Sequence, residues 1–356
     1  MAADVPVRTP LLIVLGKPAI IPPKMISETP LPIPFSEILS PIQTRNIVPA
    51  TIVKIVEIDT EGYCRDVYVS GDSVFLATGQ AGIQLWDISN ITSPILVWKK
   101  TLSDLGVNKE ISQVEYKPSI KQLFALESNE RPIHIDLSKS DSVNILGQFS
   151  SEKTKEFRIS TNDINSFTVY AADNDDGLKL STFEYDTLYN LWFNTSGNEV
   201  SLIGNPNGLD LFSDLIILTL DQLGVQVLQN NNNTINYLFH EDLPGNSRAI
   251  TITKEDEFYV ACEEAGAFKL ETNYSDFTVS KVQFGKDLYV THVTVLDDQI
   301  VLSCAGNGLS LYEKINNDDI QPRGIHNIGY VYHAEFYNNY LFAASREGLQ
   351  IFQIDE

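Results

Sequence analysis

One short pattern recurs along this chain and limits its fold more than any other feature. An apolar strand leads into a turn that ends in Gly, and a second strand of alternating apolar residues follows. The clearest copy reads Val74-Phe75-Leu76-Ala77-Thr78-Gly79-Gln80-Ala81-Gly82-Ile83-Gln84-Leu85-Trp86. The same shape returns at 258–261 with 267–270, at 300–303 with 309–312, and at 340–344 with 349–352. The turn glycines are Gly82, Gly177, Gly224, Gly266, Gly308 and Gly348. Between the first two, Arg131-Pro132 replaces the Gly ahead of Ile133-His134-Ile135. Seven units, each 40–50 residues after the last, result.

Each unit also carries a strand upstream, as in Val67-Tyr68-Val69 and His292-Val293-Thr294-Val295, and one downstream, as in Ile95-Leu96-Val97-Trp98. Four antiparallel strands with this period make one blade of a β-propeller. Gly suits the turns because tight hairpins need positive φ there. Apolar runs are short, such as 215–220, which fits buried strands and not membrane helices. The expected fold is all-β: a seven-bladed propeller of four-stranded antiparallel blades. The seventh unit lacks an outer strand after Phe352, and an unpaired edge invites aggregation. Residues 50–59 alternate like an outer strand, so they are expected to complete the last blade and close the ring. The domain division is then a Pro-rich arm, 1–49, and a propeller, 50–356.

The first unit resembles a known repeat. Asp66-Val67-Tyr68-Val69-Ser70-Gly71 through Gly82-Ile83-Gln84-Leu85-Trp86-Asp87-Ile88-Ser89, with Pro94-Ile95-Leu96-Val97, is similar to the LVIVD repeat over residues 63–100. The second unit keeps the Asp in Ile135-Asp136-Leu137-Ser138, and later units keep only the strand pattern. The resemblance implies a β-propeller of the kind described as surface or interaction proteins, with no chemistry attached. Trp86-Asp87 is a lone WD dipeptide without a Gly-His partner, so a WD-repeat protein is not indicated.

The net charge is −22, which repels phosphate backbones and argues against nucleic acid as a partner. No apolar segment is long enough to span a bilayer. Cys64, Cys262 and Cys304 are too few and too scattered for a disulfide framework. The N-terminus lacks the pattern of a secretory signal, and an intracellular site, cytoplasmic or organellar, is favoured over the cell surface. No P-loop, dinucleotide Gly fingerprint, His-Glu-x-x-His or Gly-x-Ser-x-Gly motif occurs, and no catalytic residue or cofactor is expected.

Three residues stand out for their placement. His292 and His333 sit at equivalent points opening the inner strands of units six and seven, and Asp66 opens the inner strand of the first. Inner-strand ends surround the central channel, so these three are candidates for a ligand or metal site at its mouth. The alternative is a channel mouth that is merely polar and wet. Asp173-Asn174-Asp175-Asp176-Gly177 resembles the start of a calcium loop but lacks the distal Glu. An Asp- and Asn-rich hairpin turn is the favoured account of it.

The arm holds ten of the chain's sixteen prolines, which disfavour helix and central strand. Unlike a polar linker it is apolar, with Leu11, Leu12, Ile13, Val14, Leu15, Ile20 and Ile21 as candidate partner-binding residues. The expected function is a non-catalytic interaction scaffold, a subunit of a larger assembly docked to other protein subunits through this arm and the propeller faces. The alternative is an enzyme or a small-ligand or metal binder using the channel mouth.

Overall fold

Seven four-stranded antiparallel sheets, six of them entered at the innermost strand, make up the computed structural model, which describes residues 49, 51–139, 142–149, 151–231 and 234–355. Blade 1 is built from Asp66–Ser70, Ser73–Ala77, Ile83–Asp87 and Ile95–Lys100. Blades 2 to 6 repeat that order and open with Ile111–Lys117, Thr154–Asp163, Gly208–Phe212, Ala249–Lys254 and His292–Leu296. Blade 7 takes three strands from the C-terminal segment, Val331–Tyr337, Tyr340–Ser345 and Gly348–Asp355. Its fourth strand is Thr51–Ile58, antiparallel to Gly348–Asp355 with Thr51 opposite Asp355 and Ile58 opposite Leu349. The ring therefore closes within one sheet, by the strand expected from its alternation.

The core is divided among the spaces between blades. Seven clusters of buried side chains each join two neighbouring blades; Leu215, Ile217 and Val227 of blade 4, for example, pack with Phe258, Val260 and Leu270 of blade 5. A middle strand lies between neighbours on both faces, so successive residues are buried, and mostly apolar, and not only alternate ones. Leu215–Thr219 and Glu257–Ala261 are buried throughout for this reason. The outer strands are exposed along much of their length, and Ile95, Leu96, Val97 and Tyr237 face solvent.

The turn glycines meet two demands together. Gly82 has φ +92°, and a Cβ there would lie 2.0 Å from the carbonyl oxygen of Lys100, where the outer strand ends. Gly348 repeats this against the carbonyl of Ile58, which belongs to the closing strand. The repeated Gly thus marks where the third strand's start and the outer strand's end approach, as well as a left-handed backbone. Blade 2 manages with Pro132, which opens its third strand. One departure from an all-strand chain is a single helical turn, Leu102–Leu105, capped by Thr101 through a reciprocal bond with Asp104.

Candidate functional site

The innermost strand of each blade has one edge that no sheet strand covers, and its polar backbone groups need partners. Side chains of the preceding blade supply them at every junction. Glu335 Oε2 accepts the Val69 N–H (3.1 Å), Asp66 Oδ2 that of Val114 (2.9 Å) and Glu115 Oε1 that of Ile159 (3.2 Å). Glu156 Oε2 accepts the Leu209 N–H (3.2 Å) and Asp210 Oδ2 that of Ile252 (2.9 Å). The circle is completed by hydroxyls: Thr251 donates to the carbonyl of Val293 (2.6 Å) and Thr294 to that of Ala334. Each blade thus clasps the next, in one rotational sense.

Those carboxylates line a cavity of about 730 Å³ at the end of the channel where the inner strands begin. Asp66, His292 and His333 meet there. His333 Nδ1 is hydrogen-bonded to Asp66 Oδ1, and the two imidazole rings lie 4.1 Å apart at 66°. Burial alone would lower His333, but the Asp66 carboxylate overrides it and the ring titrates above its ordinary value. Burial, then the positive charge of His333 and of two arginines, pushes His292 far below its ordinary value, so it is neutral at pH 7. Burial raises the Glu335 carboxyl to about 8, with Asp66 adding to the rise and His333 opposing it. Burial also raises Glu156 to about 7 against the pull of Arg158. Arg158 itself bridges Glu156 Oε1 (2.5 Å) and Asp210 Oδ1 (3.3 Å).

Beside the mouth, where blade 7 meets blade 1, tyrosines and arginines interleave. The Arg346 guanidinium lies 3.9 Å from the Tyr330 ring centroid and its Nε donates to the Tyr332 hydroxyl (3.1 Å). Arg65 lies 4.3 Å from the Tyr332 centroid and grips Glu110 through two nitrogens. Tyr63 is half exposed and within 5.6 Å of both guanidiniums. The sequence carries no mark of this cluster, because its members come from opposite ends of the chain and look like ordinary surface residues.

The other sequence candidates fall as follows. The turn 173–177 is a hairpin whose acids are engaged: Asp173 Oδ2 accepts the Glu152 N–H (3.0 Å), Lys179 pairs with Asp176 (2.5 Å) and Lys153 pairs with Asp175. The three cysteines are free and buried, and burial raises the Cys262 and Cys304 thiols to about 12. Among the described residues, no group of three or more His, Cys, Asp or Glu is arranged to hold a metal ion. No helix among them is long and apolar enough to cross a membrane. Leu11, Leu12, Ile13, Val14, Leu15, Ile20 and Ile21 lie outside the described residues.

Comparison with known proteins agrees with this architecture. Residues 61–100, which include all four strands of blade 1, match the model of the LVIVD repeat. The chain is also similar to the crystal structure of the computationally designed Ika8 protein, at 12% identity and a TM-score of 0.59. That likeness covers 84% of this chain and 99% of the other, and at such identity it bears on the fold alone. No curated protein matches.

Proposed function

We propose that this protein is a non-catalytic interaction scaffold, a subunit of a larger assembly that docks partners through its N-terminal arm and the propeller face around Tyr63, Arg65, Tyr330, Tyr332 and Arg346. The observation that carries this reading is the state of Arg346. Arg65, Arg131, Arg158, Arg248 and Arg323 each pair with a carboxylate, whereas Arg346 has no such partner among the described residues. It is nonetheless held in place, exposed, on tyrosine faces. Tyr and Arg dominate binding energy at protein interfaces, since they offer large contact areas with donors already oriented. A guanidinium fixed before binding loses little entropy when a partner arrives.

The acids of the channel support this reading, since each of the five clasps the next blade. The arm adds an apolar, Pro-rich segment of the kind that lies along a partner's surface. The test is purification from the native source of three forms: the whole chain, a Tyr330→Ala/Arg346→Ala variant, and a chain lacking residues 1–45. The whole chain should bring stoichiometric partner subunits that both altered forms lose while remaining folded. The same subunits at the same yield from all three would overturn the proposal.

A further inference from the structure

The channel mouth holds more negative charge than its own cations offset. Asp66, Glu115, Glu156, Asp210 and Glu335 line it, against Arg158, Lys117, Lys155 (held by Asn129 Oδ1 at 2.6 Å) and the imidazole of His333. At the rim, Arg65 and Arg248 are already paired with Glu110 and Glu263, and His292 is neutral. Three of the five acids use both oxygens within the protein. Asp66 serves Val114 and His333, Glu156 serves Leu209 and Arg158, and Asp210 serves Ile252 and Arg158.

Two do not. Glu115 gives Oε1 to the Ile159 N–H and to Lys117, while Oε2 is buried with no partner on a side chain only 8% exposed. Glu335 gives Oε2 to the Val69 N–H, and Oε1 has no partner among the described residues. The two belong to blades 2 and 7, on either side of blade 1, whose Tyr68 also lines the cavity. Burial, then the Glu115 and Glu335 carboxylates, pushes the Tyr68 hydroxyl above its usual range, so it stays protonated.

We propose that the channel mouth binds a small organic cation of the aliphatic amine class, its ammonium hydrogens accepted by the free oxygens of Glu115 and Glu335. An ammonium group fits better than a metal ion. Its separate N–H donors suit carboxylates that each have one oxygen left, whereas backbone and lysine bonds have taken the others. It also resolves the buried, unpartnered Glu115 oxygen, which is costly as it stands. Glu335 meets the excess charge by holding a proton near neutrality, so an arriving cation displaces that proton.

Titration calorimetry of the full chain with 1,4-diaminobutane at pH 7, in phosphate and in MOPS, tests this. Saturable binding with proton release is expected, read as a heat difference between the buffers. Glu115→Gln and Glu335→Gln keep a carbonyl oxygen for the Ile159 and Val69 N–H groups, so both should fold, as circular dichroism melts would verify. Each should weaken binding by about tenfold or more, the loss of a charge-assisted hydrogen bond. Arg346→Ala should bind as the unaltered chain does, which separates this site from the docking face. No saturable heat up to about 10 mM, beyond the range of specific binding, would overturn the proposal. Unchanged affinity in both Gln variants would do the same. So would calcium or magnesium occupying the mouth without competition from the diamine.

Discussion

Asp66 and His333 are hydrogen-bonded through Oδ1 and Nδ1 although 267 positions separate them. They belong to the first and last blades, so the bond crosses the seam where blade 7 meets blade 1. Asp66 spends its other oxygen on the Val114 N–H, and one carboxylate thus ties together three blades. Removing it orphans a backbone donor and an imidazole at once. Asp66→Ala is expected to cost about 2–4 kcal/mol in urea unfolding, and Asp66→Asn, which retains an acceptor, about half of that. Equal losses in the two variants would show that the hydrogen bonds are not what Asp66 contributes.

The same seam makes stability depend on pH. Glu335 titrates at about 8 in the folded protein against 4.5 as its ordinary value, so its contribution is complete below 4.5 and is lost as pH rises toward 8. Glu156 at about 7 and the raised His333 act in the same direction. His292 opposes them below 6.5, where the unfolded chain protonates it and the folded protein does not. The window free of opposition from His292 lies above 6.5, and the melting temperature should fall from there to about pH 8.5. Glu335→Gln should flatten that fall; an unchanged slope would assign it to other groups.

Two glycines separate conformational strain from close approach. Gly71 has φ +59° with nothing near its missing Cβ, whereas at Gly82 the Cβ would overlap the Lys100 carbonyl. Gly71→Ala should cost about 1 kcal/mol and Gly82→Ala appreciably more, about 3 kcal/mol, by denaturant titration. Similar costs would mean that the outer strand of blade 1 gives way freely.

Between blades 5 and 6 lies a buried ion network. Lys269, with a side chain 1% exposed, pairs with Glu257 (3.5 Å) and Glu271 and donates to the Asn317 carbonyl (2.9 Å); Lys314 reaches Glu257 from the next blade (3.2 Å). Lys269→Met leaves Glu257 short of a partner and should cost about 3–5 kcal/mol. Adding Glu257→Gln should recover part of that loss, which a double-mutant cycle would read as a coupling energy.

Much of the architecture was legible in the sequence because a propeller writes its period into its turns. Gly82 and its counterparts mark six of the seven blades, and the alternation at 50–59 pointed to the strand that closes the ring. Asp66, His292 and His333 could be aligned because each opens or nearly opens an inner strand. Their neighbours could not. Glu115, Glu156, Asp210 and Glu335 look like solvated acids in a chain with 47 of them, and only the ring brings them to one axis. A usable signal existed: an acid at an interior position of an inner strand must face the channel or a neighbouring blade, because no outer surface is open to it. The Tyr330–Arg346 stack left no such trace, since neither residue is unusual at a turn and its relation to Tyr63 and Arg65 exists only after closure.

The pairing of Thr51 with Asp355 has a mechanical consequence. Both lie at the same end of one antiparallel strand pair. Tension applied between them loads the closing sheet one hydrogen bond at a time, as a zipper is opened, and not all bonds together in shear. A pull on the chain ahead of Thr51 would therefore peel Thr51–Ile58 from the last blade first. Blade 7 would lose its outer strand while the other six blades remained whole.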